Sequence, residues 1–236
     1  MIVLSQLGVR KRRDAKPTMS NSATRWALAA VLLLGAIIWG TMYYRGLPTG
    51  TVDASTVIDV SAEPKQGPIL AGEPIEIIDG DVHAFLTPVA EFRISARVLS
   101  TCRYSEGDRL GEVSPIDLAL GWGIMSQDGL LKQLRITQNN RWFSFRSSNS
   151  KLPYADIQRS ATNLHAIPAN DNIRRALLSI RKDDLILFDG ELVNVYGSHG
   201  KEIFEMKTSR TRDDGGAGAC EIMRIETVIR DGKIYR

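Results

Sequence analysis

Residues 26–44, from Trp26 to Tyr44, form one unbroken run without a charged side chain, and the rest of the chain alternates between apolar and polar positions in short segments. At about 1.5 Å per residue the run makes about 28 Å of helix, close to the roughly 30 Å of a bilayer's hydrocarbon core. Trp26 opens it and Tyr43-Tyr44 closes it, the ring placement of a span with both ends at an interface. A soluble helix of this length keeps one polar face. The pattern therefore predicts a transmembrane helix over 26–44. The run ends Gly-Thr-Met-Tyr-Tyr-Arg45, with bulky residues where a signal peptidase needs small ones, so the helix reads as an uncleaved anchor.

Residues 45–73 are rich in Pro, Gly, Thr, Ser and acids and read as a linker. The remaining chain, 74–236, is the length of one domain. Ile75–Ile78 and Val82–Leu86 flank Asp79-Gly80, a hairpin signature. Phe92, Ile94, Ala96 and Val98 alternate with Arg93, Ser95 and Arg97, a strand with one wet face. Ser114-Pro115 followed by Asp117 reads as a short helix start. Leu134 and Ile136, then Asn139-Asn140, then Trp142–Phe145 form a second hairpin pattern. Asn170-Asp171 caps a helix whose apolar face is Ile173, Ala176, Leu177 and Ile180. Strands return at 185–188, 191–196 and 202–206, and a glycine-rich connection at 213–218 leads to a last strand near 220–229. There are no repeats or heptads. The expected fold is α+β and strand-dominated: a small curved sheet or partly open β-barrel with two short helices, preceded by one transmembrane helix.

Charge sets an orientation. Arg10, Lys11, Arg12, Arg13, Lys16 and Arg25 precede the span against Asp14 alone, whereas after Arg45 come Asp53, Asp59, Glu63, Glu73, Glu76, Asp79 and Asp81 with only Lys65 between them. Positive charge stays inside, so the basic N-terminus (1–25) is expected in the cytoplasm of a bacterium, with domain 74–236 outside the inner membrane. Met19 is a second candidate initiator, and a start there leaves Arg25 and the terminal amine as the inside charges. The overall charge is +3, yet the chain from residue 51 onward is net acidic, because Lys and Arg dominate the first fifty residues. The basic balance is thus a topology signal, and nucleic acid is not expected as a partner.

Cys102 and Cys220 are the only cysteines. An oxidising compartment permits a bridge between them, and two buried thiols fit equally well. The three histidines, His83, His165 and His199, show no metal-ligand spacing, and no CxxC, HExxH or cofactor motif occurs, so neither metal nor cofactor is expected. Asp213–Gly218 lacks the ligand spacing of an EF-hand. Trp122 between two glycines presents a large ring that either plugs the core or anchors a partner.

Two arrangements offer a nucleophile. His199-Gly200 followed by Gly218-Ala-Cys220 is similar to the His-Gly and Gly-Cys elements of cell-wall L,D-transpeptidases. That family sets its cysteine in Ser-x-Gly-Cys-x-Arg, whereas Ala219 and Glu221 flank Cys220 here, and an adjacent carboxylate disfavours a thiolate. His165, in Asn163-Leu-His-Ala-Ile-Pro168, precedes Cys220 in the order seen in several unrelated cysteine proteases, with Asn163 available to orient the ring.

Leu118-Ala-Leu-Gly-Trp-Gly-x-Met125, Arg141-Trp142, Asn163-x-His165-x-Ile-Pro-Ala169 and Gly216-x-Gly-Ala-Cys-Glu221 together resemble a group of bacterial single-pass membrane proteins with an outer domain of this size, for which no activity is established. The resemblance implies the same topology and domain extent. The leading expectation is a membrane-anchored binding or assembly module, embedded in the lipid bilayer through 26–44. It engages an envelope protein through Trp122, Met125, Asn163, His165, Arg212 and Asp214. The alternatives are an envelope cysteine hydrolase or transpeptidase using Cys220 with His165 or His199, and a purely structural tether.

Overall fold

The computed structural model describes residues 21–53, 58–105, 108, 110–211 and 219–236. It comprises two compact units, Met1–Thr41 and Met42–Arg236. The first is dominated by helix α1 (Asn21–Arg45), apolar on all sides, which contains the span expected from the sequence. It is long and apolar enough to cross a membrane, and none of its apolar stretch is buried in protein.

The second unit is strand-dominated around a curved sheet, as expected. In chain order its elements are β1 (Gly50–Thr51), β2 (Lys65–Ile69), β3 (Ile75–Asp79), β4 (Val82–Arg103), β5 (Ile116–Gly121), α2 (Asp128–Leu131), β6 (Arg135–Asn139), β7 (Trp142–Arg146), α3 (Tyr154–Arg159), β8 (Ala161–Pro168), α4 (Asp171–Leu178), β9 (Leu185–His199), β10 (Glu202–Met206), β11 (Glu221–Arg230) and β12 (Lys233–Tyr235). The main sheet runs β1-β12-β11-β8-β5-β4-β9-β10. Strands β2 and β3 add to β4, and β11 also pairs with β9. β6 and β7 form a separate two-stranded sheet.

The locally encoded elements match the pattern. β3 and β4 meet across Gly80-Asp81, one residue beyond the expected Asp79-Gly80 because Asp79 itself pairs with Val82, and Gly80 sits at φ 56°. The β6–β7 turn places both Asn140 (φ 49°) and Arg141 (φ 60°) in the left-handed region that a two-residue hairpin demands. The Asn170 side chain accepts from the Ile173 N–H and caps α4.

Four expectations are corrected. Ser114-Pro115-Asp117 does not start a helix. Residues 116–121 form strand β5, buried along its whole length and paired on both sides by β4 and β8, and those two ladders outweigh a local capping preference. Residues 161–168, assigned no element from the sequence, are the central strand β8. The expected linker supplies two strands, β1 on β12 and β2 on β4. The separate segments 185–188 and 191–196 are one strand, β9. Its interior Gly190 is required by close approach, since a Cβ there would meet the Arg224 carbonyl oxygen at 2.2 Å, beside the register shift between Ile225 and Thr227.

The sheet's two faces carry different chemistry. Ile116, Leu118 and Leu120 of β5, Leu164 and Ala166 of β8, and Met223 and Ile225 of β11 share one face, packed under Ile173, Ala176 and Leu177 of α4. Strand alternation sends Asp117, Asn163 and His165 to the other face, between a cluster holding Ile167 and Ile222 and one holding Ala119 and Met125. The ends of the unit are tied together: the Asn172 side chain accepts from the Leu47 N–H at 2.6 Å and donates to the carbonyls of Leu47 and Arg236, both at 2.9 Å.

Trp122 is 1% exposed and packs into the α4-side core. Trp122→Ala is expected to lower the unfolding free energy by about 3–5 kcal/mol, measured by denaturant unfolding of the chain in detergent.

Candidate active site

The polar side chains on the second face converge because their strands are in register. Asp117 pairs with His165, and Ala119 with Asn163, across the β5–β8 ladder. β8 runs parallel to β11, with Leu164 opposite Glu221 and His165 opposite Ile222, which delivers Cys220, just before β11, to Asn163. Glu221, the acid that counted against a thiolate in the sequence, lies with Leu164 on the opposite face from His165.

Asp117 is fully buried. One oxygen accepts from His165 Nδ1 at 2.9 Å and lies 3.4 Å from Arg141 Nη1; the other accepts from the Tyr104 hydroxyl at 3.0 Å. The Arg141 backbone N–H donates to that hydroxyl at 3.0 Å, and its guanidinium lies 3.8 Å from the centre of the Tyr104 ring. Nη2 of Arg141 also bonds Asp108 at 2.6 Å. The left-handed turn of β6–β7 thus carries a cation to a buried anion. Asn163 Nδ2 is 3.6 Å from Cys220 Sγ and 3.2 Å from the Arg141 carbonyl, while its Oδ1 accepts from Gln138 Nε2 at 2.9 Å. The Gln138 bond sets which end of the Asn163 amide faces the sulfur.

Burial alone would lower the proton affinity of His165. The hydrogen bonds and charges of Asp117 and Cys220 outweigh it and raise the pKa from 6.5 to about 9. With Nδ1 committed to Asp117, Nε2 is the nitrogen left for the thiol. Burial, a bond with Cys102 and the nearby Asp117 charge raise the Tyr104 pKa, so its hydroxyl stays a donor at neutral pH.

A pocket of about 380 Å³ opens over Cys220, lined by Trp142, Phe145, Tyr154, Asn163 and Ala219 among others. Trp142 and Tyr154 are each 38% exposed. Both cysteines are free thiols. Among the described residues no group of three His, Cys, Asp or Glu side chains is arranged to hold a metal ion.

The sequence-derived candidates divide sharply. His165, Asn163 and Cys220 come together. His165, not His199, is the histidine bonded into the cluster; His199 ends β9 opposite Val82. Asn163 does not orient the imidazole, a role taken by Asp117, and contacts the sulfur instead. Trp122 and Met125 are buried, 1% and 0% exposed, and pack in the core. Arg212 and Asp214 lie outside the described residues. Asp117, Tyr104, Gln138 and Arg141 were not anticipated. The available signal was Asp117 itself, an acid inside Ile-Asp-Leu-Ala-Leu, where an unpaired charge is costly. Comparison with protein-family models, curated proteins and solved structures finds no match to this chain.

The folded-state pKa of His165 exceeds its unfolded value, so the pairing stabilises the fold fully below pH 6.5 and loses that contribution as pH rises through about 9. NMR titration of the His165 ring is expected to give a midpoint near 9, and Asp117→Asn to move it down by at least about one unit. An unmoved midpoint in that variant would contradict the assignment.

Proposed function

We propose that the second unit is a thiol-dependent acyl-transfer enzyme, a hydrolase or transpeptidase, held at the outer face of a bacterial inner membrane by α1. The observation that carries this reading is the buried Asp117–His165 pair on the same face as Asn163, whose amide contacts the Cys220 sulfur at 3.6 Å where a pocket opens. A cationic imidazole beside the sulfur favours the thiolate, the nucleophilic form. Cys220 Sγ attacks the substrate carbonyl carbon, and its proton resides on His165 Nε2. Asn163 Nδ2, already directed at the sulfur, donates to the oxyanion that forms on the carbonyl oxygen. The tetrahedral intermediate collapses, the leaving group takes the proton from His165, and a thioester on Cys220 remains. Water or an acceptor amine then attacks the thioester carbonyl, His165 takes the attacking group's proton, the carbon–sulfur bond breaks, and the thiolate leaves beside the protonated His165, as at the start. Asp117 stays ionised and holds the ring.

Topology supports the envelope as the place of action. The positive side chains before the span and the acids after it favour an inside N-terminus, and α1 has the length and apolarity of an anchor. An alkaline phosphatase domain fused after Arg236 is expected to be active, as that enzyme is only outside the cytoplasm; an inactive, full-length fusion would refute the orientation.

With the full chain in detergent, p-nitrophenyl acetate is expected to acylate Cys220, seen as an acetyl mass increment on the peptide containing it. Cys220→Ala abolishes the increment and His165→Gln slows it by at least about 100-fold. Asn163→Ala lowers the turnover rate by about 10²–10³ with little change in KM. Full ester cleavage by Cys220→Ala would end the proposal. Exposure of Trp142 and Tyr154 at the pocket favours a second reading, a binding module for an envelope component, which predicts that Cys220→Ala retains biological function while Tyr154→Ala loses it.

A further inference from the structure

We infer that the acyl donor of this site is an extended peptide with uncharged side chains, bound as an added strand on the free edge of β7. The inference rests on the acyl-transfer reading of Cys220. Four consecutive residues, Trp142, Phe143, Ser144 and Phe145, line the pocket that holds the sulfur. Side chains of a strand alternate between faces, so a cavity lined by every residue in succession runs along the strand's edge, where the backbone itself is exposed. β7 has β6 on one side only. Its other edge carries no strand among the described residues, leaving alternate N–H and C=O groups unpaired, the template an extended peptide completes.

The walls define the side chains such a peptide brings. No Asp, Glu, Lys or Arg lines the pocket among the described residues. Arg141, which precedes Trp142, is already engaged with Asp108 and Asp117. The rings of Phe145 and Tyr154, both lining the pocket, stack with centroids 6.1 Å apart and planes 18° from parallel, an aromatic part of its wall. A charged side chain there would lose its water with nothing to replace it. Binding along β7 brings a peptide carbonyl toward Cys220 and Asn163, which line the same pocket. Covalently, the step is the one already described: the carbon–sulfur bond forms, the bond to the leaving group breaks, and the peptide's acyl group is carried as a thioester.

The test uses the full chain in detergent with acetyl-tetraalanine benzyl thioester, its four singly N-methylated forms, a form with Glu in place of one Ala, and acetyl benzyl thioester. Cys220 is expected to be acylated by the tetrapeptide at least about tenfold faster than by the acetyl donor, because each backbone hydrogen bond made is worth about 0.5–1.5 kcal/mol. N-methylation is expected to remove that gain at alternate residues only, since a strand directs every second N–H to its partner. The Glu form is expected to be slower by at least about tenfold. Equal rates for all N-methylated forms, or no advantage over the acetyl donor, would overturn the inference while leaving Cys220 as the nucleophile. Failure of every donor sinks the acyl-transfer reading, and titration of acetyl-tetraalanine amide into Cys220→Ala then decides the peptide site alone: binding lost on alternate N-methylation upholds it, and no binding removes it.

Discussion

Asp117 is a carboxylate with no exposed surface, placed in a central strand of the sheet. A charge in that position is tolerated only if its oxygens are fully engaged. The partners that engage them come from different parts of the chain: His165 from β8, Tyr104 from the segment after β4, and Arg141 from the β6–β7 turn. Satisfying one carboxylate therefore fixes three elements against β5. The same bonds select the His165 tautomer and place the Asn163 amide, through the Arg141 carbonyl, against the sulfur. Structural necessity and site geometry are one network here.

What could be read from the chain followed the range of the interactions. The two hairpins and α4 depend on turn residues and caps within a few positions, and Asp79-Gly80, Asn139-Asn140 and Asn170 announce them. The apolar span of α1 needs no partner at all. β5 and β8 are hidden in the sequence because the polar residues that appear to spoil them find buried partners from distant parts of the chain: Asp117 and His165 each other, and Asn163 the Gln138 amide and the Arg141 carbonyl. Asp117 resembles a first-turn helix acid until β8 is placed beside it. Likewise Glu221 argued against a reactive cysteine only while neighbours in sequence were taken as neighbours in space; the parallel β8–β11 ladder turns it to the other face. His165 and Cys220 were visible as residue types, but their pairing comes from strand order.

Left-handed Arg141 shows how hairpin chemistry and site chemistry meet. The turn that joins β6 to β7 requires positive φ, usually met by Asn or Gly. At this turn the second position is an arginine, whose strain is offset by contacts with Tyr104, Asp108 and Asp117. The hairpin is thus pinned at its tip, and β7 is held as a short, rigid edge beside Cys220.

Asn172 gives the domain a mechanical property. By holding Leu47 and Arg236 at one point at the start of α4, it makes the two ends of the unit a single attachment. In chain order this clamp and the two-residue β1–β12 ladder are the first contacts of the unit after α1. That ladder is the short rim of the sheet. The strands β5 and β8, which carry Asp117 and His165, lie further in, behind β12 and β11, so fraying of that two-residue ladder leaves their own pairing untouched.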